Sequence, residues 1–108
     1  MSDELKSRRL LLQSKLKTIL GSEHVYFQPP KSIMLTYPCI VYSRSPQSVR
    51  WANNKPYTIH QRYTLTYITK DPDDPLITTI LEAFGEMIRP DRFFVSDNLY
   101  HNNFNLFF

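Results

Sequence analysis

Glycine is nearly missing from this chain: Gly21 and Gly85 are the only two among 108 residues. A loop that cradles phosphate, or a dinucleotide fingerprint, needs several closely spaced glycines so that backbone N–H groups can approach the ligand. That class of site is excluded. A single cysteine, Cys39, excludes an internal disulfide and a cysteine-based zinc centre. It lies in the apolar run Pro38-Cys39-Ile40-Val41-Tyr42, which suits a small buried hydrophobe better than a nucleophile. One unpaired thiol fits a reducing compartment. No apolar run is long enough to cross a bilayer, and the opening MSDELKSRR lacks the apolar centre of a signal peptide. The expectation is a protein with no membrane partner that folds in a cytoplasm.

Acid is absent from more than two fifths of the chain. Between His24 and Lys70 there is no Asp or Glu, while Lys31, Arg44, Arg50, Lys55 and Arg62 fall in that stretch. From Asp71 onward the balance reverses: Asp71, Asp73, Asp74, Glu82, Glu86, Asp91 and Asp97 face only Arg89 and Arg92. The net charge of +3 therefore hides a basic middle and an acidic final third. Such a split suits a nucleic acid partner. It equally suits a head-to-tail oligomer in which the basic surface of one copy meets the acidic surface of the next.

What is present is a patterned α+β chain. Leu5, Leu12, Leu16 and Ile19 fall at helical spacing with Leu20 adjoining, Ser2 or Asp3 is placed to cap, and Gly21 sits where a helix ends. The opposite side of this helix carries Lys6, Arg8, Arg9, Lys15 and Lys17, expected to be solvated. Val25-Tyr26-Phe27 reads as a short strand ended by Gln28-Pro29-Pro30. Residues Pro38 to Arg44 read as a central strand, apolar on both faces. From Tyr57 to Lys70 the chain alternates: Tyr57, Ile59, Gln61, Tyr63, Leu65 and Tyr67 against Thr58, His60, Arg62, Thr64 and Thr66. That period of two predicts a long strand with one face on a core and one on solvent or a partner, paired antiparallel with the strand before it. Asp73-Asp74-Pro75 predicts the start of a second helix with Leu76, Ile77, Ile80, Leu81, Phe84 and Ile88 inward and Glu82 and Glu86 outward, stopped by Pro90. Arg92 to Val95 and Tyr100 to Phe107 predict a closing hairpin. The order is helix, three strands, helix, two strands: one α+β domain with two helices packed on a mainly antiparallel sheet.

Catalytic constellations are hard to assemble from these residues. His24, His60 and His101 are far apart, with no zinc-type pair. Asp71, Asp73 and Asp74 lack the spacing and distal Glu of a calcium loop and read instead as helix-capping residues. Ser43, Ser45 and Ser48 have no nucleophile-elbow context. The expectation is a protein that is not an enzyme and takes no cofactor or metal. The loop Arg50-Trp51-Ala52-Asn53-Asn54-Lys55-Pro56-Tyr57 is different, joining the only tryptophan to two amides and two cations. Trp and Arg are enriched at binding hot spots, and they stack on bases and hold phosphates in single-strand binders. Either this loop is an interface or Trp51 folds back onto the sheet edge. Aromatics make up 14% of the chain, which suits both a β-rich core and a contact surface.

The runs Tyr26-Phe27-Gln28-Pro29-Pro30, Tyr37-Pro38-Cys39-Ile40-Val41-Tyr42, Ala52-Asn53-Asn54-Lys55-Pro56-Tyr57, Arg62-Tyr63-Thr64-Leu65-Thr66, Asp71-Pro72-Asp73-Asp74-Pro75 and Asp97-Asn98-Leu99 with an aromatic end share an order and spacing. Together they resemble the tail terminator (tail completion) proteins of tailed bacteriophages. The resemblance covers residues 26 to 108 and departs at Met87-Ile88-Arg89-Pro90, where that family has a different short connection. It implies a small α+β domain that forms a ring, typically a hexamer. The ring would cap the major tail tube protein and dock on the head–tail connector or stopper protein, with genomic DNA passing through without sequence-specific binding. The expected location is the virion, after assembly in a host cytoplasm. Residues expected at contacts between copies or with partners are Arg44, Arg50, Trp51, Asn53, Asn54, Lys55, Tyr57, Arg62, Asp73, Glu82, Glu86, Asp97 and Asn98. Another neck component, or a small nucleic-acid-binding module using Arg50, Trp51, Tyr57 and Arg62, are the alternatives.

Overall fold

The computed structural model describes residues 2–45 and 61–108, with side chains from Lys6 onward. The expected loop and the first residues of the long strand, including Arg50, Trp51, Asn53, Asn54, Lys55, Tyr57 and His60, lie outside the described residues, as does the side chain of Leu5.

The elements follow the expected order. They are α1 (Ser2–Leu20), β1 (Val25–Phe27), β2 (Cys39–Arg44), β3 (Arg62–Thr69), α2 (Leu76–Phe84), a 3-10 turn (Gly85–Met87), β4 (Ile88–Ser96) and β5 (Leu99–Phe107). One five-stranded sheet runs β1-β2-β3-β5-β4, antiparallel except for the parallel pair β1 and β2. Both helices pack on one face. Leu12 and Leu16 from α1, and Ile80 and Phe84 from α2, meet Ile40 and Tyr42 of β2, Tyr63, Leu65 and Tyr67 of β3, and Phe104 and Leu106 of β5. The alternation of β3 is as expected, with Tyr63, Leu65 and Tyr67 buried and Arg62, Thr64 and Thr66 half-buried on the other side. Register continues that polar side outward: Thr66 Oγ1 donates to Asn103 Oδ1 (2.7 Å) and Arg62 Nη2 to Asn105 Oδ1 (3.2 Å).

The start of α1 and the end of α2 differ from expectation. Helix α1 already includes Ser2 and Asp3, so neither flanks it as a cap. Its far end is as expected: Gly21 takes φ +77° and donates its N–H to the Lys17 carbonyl at 2.8 Å. Helix α2 stops at Phe84 rather than before Pro90. Gly85, at φ +54°, turns the chain, Ile88 becomes the first residue of β4, and Glu86 sits in the 3-10 turn instead of on a helix. Ile88 is buried in either arrangement, here by pairing beside Leu106. Pro90 lies inside β4, which tolerates it because β4 is the sheet edge, where one side of the strand needs no ladder bonds. The hairpin turn is Asp97-Asn98, with φ of +53° and +63°. Two positive values in a two-residue loop are the geometry whose twist matches the flanking strands.

The solvated basic side expected of α1 is also corrected. Arg8 lies over the Phe108 ring at 5.0 Å, Arg9 over Phe27 at 4.4 Å and Lys15 over Phe84 at 5.0 Å. Arg8 also donates to the Phe108 main-chain oxygen at 3.0 and 3.2 Å, and Lys17 pairs with Glu23 at 2.8 Å. Long cationic side chains cover apolar surface with their stems and meet aromatic rings with their charge. They therefore fasten the helix at its borders.

Asp74 organises the entry to α2. Its Oδ1 accepts the Leu76 N–H at 2.9 Å, while Oδ2 accepts the Tyr67 hydroxyl at 2.6 Å and the Thr69 hydroxyl at 2.8 Å. Asp71 Oδ1 accepts the Asp73 N–H at 2.9 Å. The carboxylate oxygens are thus engaged in local turn and cap bonds, with Pro75 taking the position just before the helix. Burial opposes ionisation of Asp74, but the bonds from Tyr67, the Leu76 N–H and Thr69 outweigh it and hold its carboxyl below the ordinary value. Burial, and then the bond to Asp74, push the Tyr67 phenol up.

A group held below its unfolded value stabilises the fold above that value and loses the contribution as pH falls through the lower, folded one. Asp74→Asn is expected to cost about 1–2 kcal/mol near pH 7, the usual effect of losing a capping acceptor. The difference from the parent should shrink below about pH 4, where carboxylates protonate. Urea melts at a series of pH values check this, and a gap that stays constant down to about pH 2 would remove Asp74 from this role.

Candidate assembly interface

A strand at the edge of a sheet has one row of backbone groups without strand partners, and proteins usually blunt it. The first half of β4 is blunted: it holds Pro90, a register shift between Pro90 and Phe93, and the charged pair Asp91-Arg92. The second half, Phe93-Phe94-Val95-Ser96, has none of these devices. Its apolar side chains face water on both sides of the hairpin, with Phe93 59% and Val95 54% exposed and Phe94 also exposed. Phe94, paired with His101, faces the side of the sheet that carries no helix; for Phe93 and Val95 the reason lies in the lengths of the elements. Helix α2 has nine residues, whereas β4 and β5 have nine each at twice the rise, so the hairpin end runs past the helix layer.

The exposed rings are ordered by neighbours on β5. Phe93 stacks on Tyr100 with centroids 6.1 Å apart and Phe94 on His101 at 4.5 Å, in both cases nearly parallel. The His101 Nδ1 lies 3.1 Å from the Leu99 carbonyl. Stacked pairs lose little freedom when a partner covers them, which favours aromatic anchors at interfaces. Between α2 and the hairpin lies an open groove of about 210 Å³, lined by Ile77, Leu81, Pro90, Asp91, Arg92, Phe93, Asn102, Asn103 and Phe104.

A second exposed apolar element is on α1. Three leucines in a row cannot all face one side of a helix that turns about 100° per residue. Leu12 is fully buried, whereas Leu10 is 47% and Leu11 60% exposed. They share the outward line with Ser7, Ser14 and Thr18, all exposed.

The residues expected at contacts are dispersed. Arg44 and Arg62 lie near one end of the sheet but on opposite faces: Arg44 pairs with Tyr63 on the helix side, and Arg62, one residue earlier, points the other way. Arg44 lies over the Phe27 ring at 5.5 Å and its N–H donates to Gln28 Oε1 at 3.1 Å. Asp73 is exposed in the turn before α2, Glu82 on the outer side of α2, Glu86 in the 3-10 turn, and Asp97 and Asn98 at the hairpin tip. Among the described residues, no single basic face or acidic face gathers them. Sequence reasoning passed over Phe93, Phe94 and Val95 because an uninterrupted apolar run reads as a buried strand. It passed over Leu10 and Leu11 although the leucine triplet itself signals that some must face out.

His24 lies in the connection before β1, and His101 lies on β5. Among the described residues, no helix is long and apolar enough to cross a membrane. No family model, curated protein or solved structure matches the chain.

Cys39 is fully buried at the start of β2, and burial pushes its thiol up to about 11. Only the thiolate reacts readily, so the side chain is shielded both by packing and by protonation. An aromatic disulfide reagent near neutral pH is expected to label Cys39 only when denaturant is added. Rapid stoichiometric labelling of the native protein would contradict that assignment.

Proposed function

We propose that the chain is a non-enzymatic structural protein of a phage tail or neck, working as a tail terminator. It assembles into a ring of identical copies, six by the family resemblance, that ends growth of the tail tube and joins it to the head connector or stopper protein. Genomic DNA passes through the ring without sequence-specific binding, and the protein resides in the virion.

The observation that carries the reading is the unblunted end of β4. Monomeric proteins rarely leave a contiguous apolar patch on a sheet edge, and a partner surface is its usual purpose. The motifs that resemble the tail terminator family add to this. Those in the described residues fall on β1, the approach to β2, β3, the turn before α2 and the hairpin tip, which are the framework of the sheet and its projecting end. The basic and acidic parts of the chain supply orientation, since exposed ion pairs are individually weak while aromatic and aliphatic burial supplies most affinity. The opposite placement of Arg44 and Arg62 disfavours a nucleic-acid groove built on those two cations.

Native mass spectrometry across a concentration series, with negative-stain imaging of the largest species, tests this reading. A discrete oligomer with a central opening is expected. A chain that stays monomeric at every concentration, or that grows into open filaments without closing, overturns it.

A further inference from the structure

We infer that the outward line of α1 in one copy seats in the groove between α2 and the β4–β5 hairpin of the next copy. This rests on the ring-forming reading above and names the two surfaces that would build it.

The α1 side is unusual for a surface helix. At about 100° per residue, Ser7, Leu10, Leu11, Ser14 and Thr18 fall within one outward arc. From Ser7 to Thr18 that arc holds no charge, and its two largest members are the exposed Leu10 and Leu11; the acids of this helix, Asp3 and Glu4, are confined to its first turn. Cations border it on both sides, Lys6 and Lys17 along one flank and Arg8 and Lys15 along the other. From Lys6 to Leu20 the helix carries no acid at all. The surface is therefore apolar at its centre and positive at its rims.

The groove is apolar along Ile77, Leu81, Pro90 and Phe93, and its lining holds one acid, Asp91. Glu82, on the outer side of α2, and Glu86, in the turn after it, are exposed elsewhere in the same acidic third of the chain. Among the described residues none of these three carboxylates has an ion pair. Arg92, the one cation in the lining, has its guanidinium over the Phe94 ring at 5.9 Å. An apolar cavity of about 150 Å³ already admits a benzene-sized group. The groove, at about 210 Å³ and open to one side, has room for leucine side chains.

Charge then favours the mixed pairing. Two α1 lines facing each other would set cations against cations. The α1 line against the groove matches apolar with apolar and brings those cations to the acidic third of the next copy, where seven acids face only Arg89 and Arg92. Within one chain the match cannot be made, because the arc faces away from its own α2 and sheet. The two helices are neighbours: α1 packs by α2, β1 and β2, whereas the groove lies on the β4 side of α2. A contact between different patches on identical copies is head-to-tail, and it closes into a ring when the rotation permits.

Two variants at exposed positions test the pairing without disturbing the core: Leu11→Asp on the α1 line and Phe93→Asp in the groove. Each should melt like the parent yet remain monomeric at concentrations where the parent assembles, with self-association weakened at least tenfold. Mixed in equal amounts, they retain one good surface of each kind, so native mass spectrometry should show a one-to-one heterodimer and nothing larger. If the parent forms its ring and either variant does too, or the mixture stays monomeric, the pairing is overturned while the ring reading stands. If Phe93→Asp alone blocks assembly, the groove holds something other than α1 and the pairing is equally overturned. A parent that is itself monomeric overturns the ring reading first.

Discussion

Side-chain alternation in β3 is the constraint to which the other elements are fitted. Tyr63, Leu65 and Tyr67 are buried under both helices, so Arg62, Thr64 and Thr66 must face the other way. The strand sits at the middle of the sheet, with β2 and β5 as neighbours, and its register dictates theirs. A slip of one residue would turn three large side chains into solvent and bring Thr64 and Thr66 under the helices, which is why such a register is strongly specified. Tyr67 carries the constraint one step further. Its hydroxyl reaches Asp74, whose other oxygen holds the first N–H of α2. The position of α2, and with it the groove beside the hairpin, is thus tied to the phase of the central strand.

The parts of the fold that were legible in the sequence are those where one period dominates. Alternation exposed β3, a two-sided apolar run exposed β2, and Leu12, Leu16 and Ile19 exposed the seam of α1. The end of α2 was not legible, because Ile88 lies four residues after Phe84 and fits a helical stripe as well as a strand. Burial of Ile88 is common to both arrangements and so does not discriminate. What decides is Gly85 at positive φ and the edge position that lets Pro90 sit in a strand.

The contact surface was less legible than the fold, for a physical reason. Charge along a sequence does not report which face of a sheet a residue occupies. Arg44 and Arg62 belong to one acid-free stretch, yet the antiparallel register sends them to opposite faces. Likewise, three of the five cations assigned to the outside of α1 turned out to lie over aromatic rings of their own chain. Apolar runs were misjudged in the other direction. Phe93, Phe94 and Val95 satisfy every local criterion for a buried strand; the limited reach of α2 leaves Phe93 and Val95 outside, and Phe94 faces the side of the sheet that carries no helix.

These two misjudgements have a common consequence for assembly. Cations fastened to Phe27, Phe84 and Phe108 hold α1 on the sheet and border its outer arc, but they do not cover that arc. On the other flank, Pro90, the register shift and Asp91-Arg92 suppress strand addition along the first half of β4 without covering Phe93 or Val95. The sheet's opposite edge is blunted as well, since β1 has three residues and runs into Pro29-Pro30. Strand-on-strand growth, which has no natural stopping point, is therefore disfavoured at β1 and along the first half of β4. What stays open to a partner is the end of β4 with Phe93, Phe94 and Val95, and the outward line of α1 with Leu10 and Leu11. In the proposed head-to-tail pairing, side-chain shape would set the angle between neighbours, and a ring rather than a filament forms only when that rotation closes.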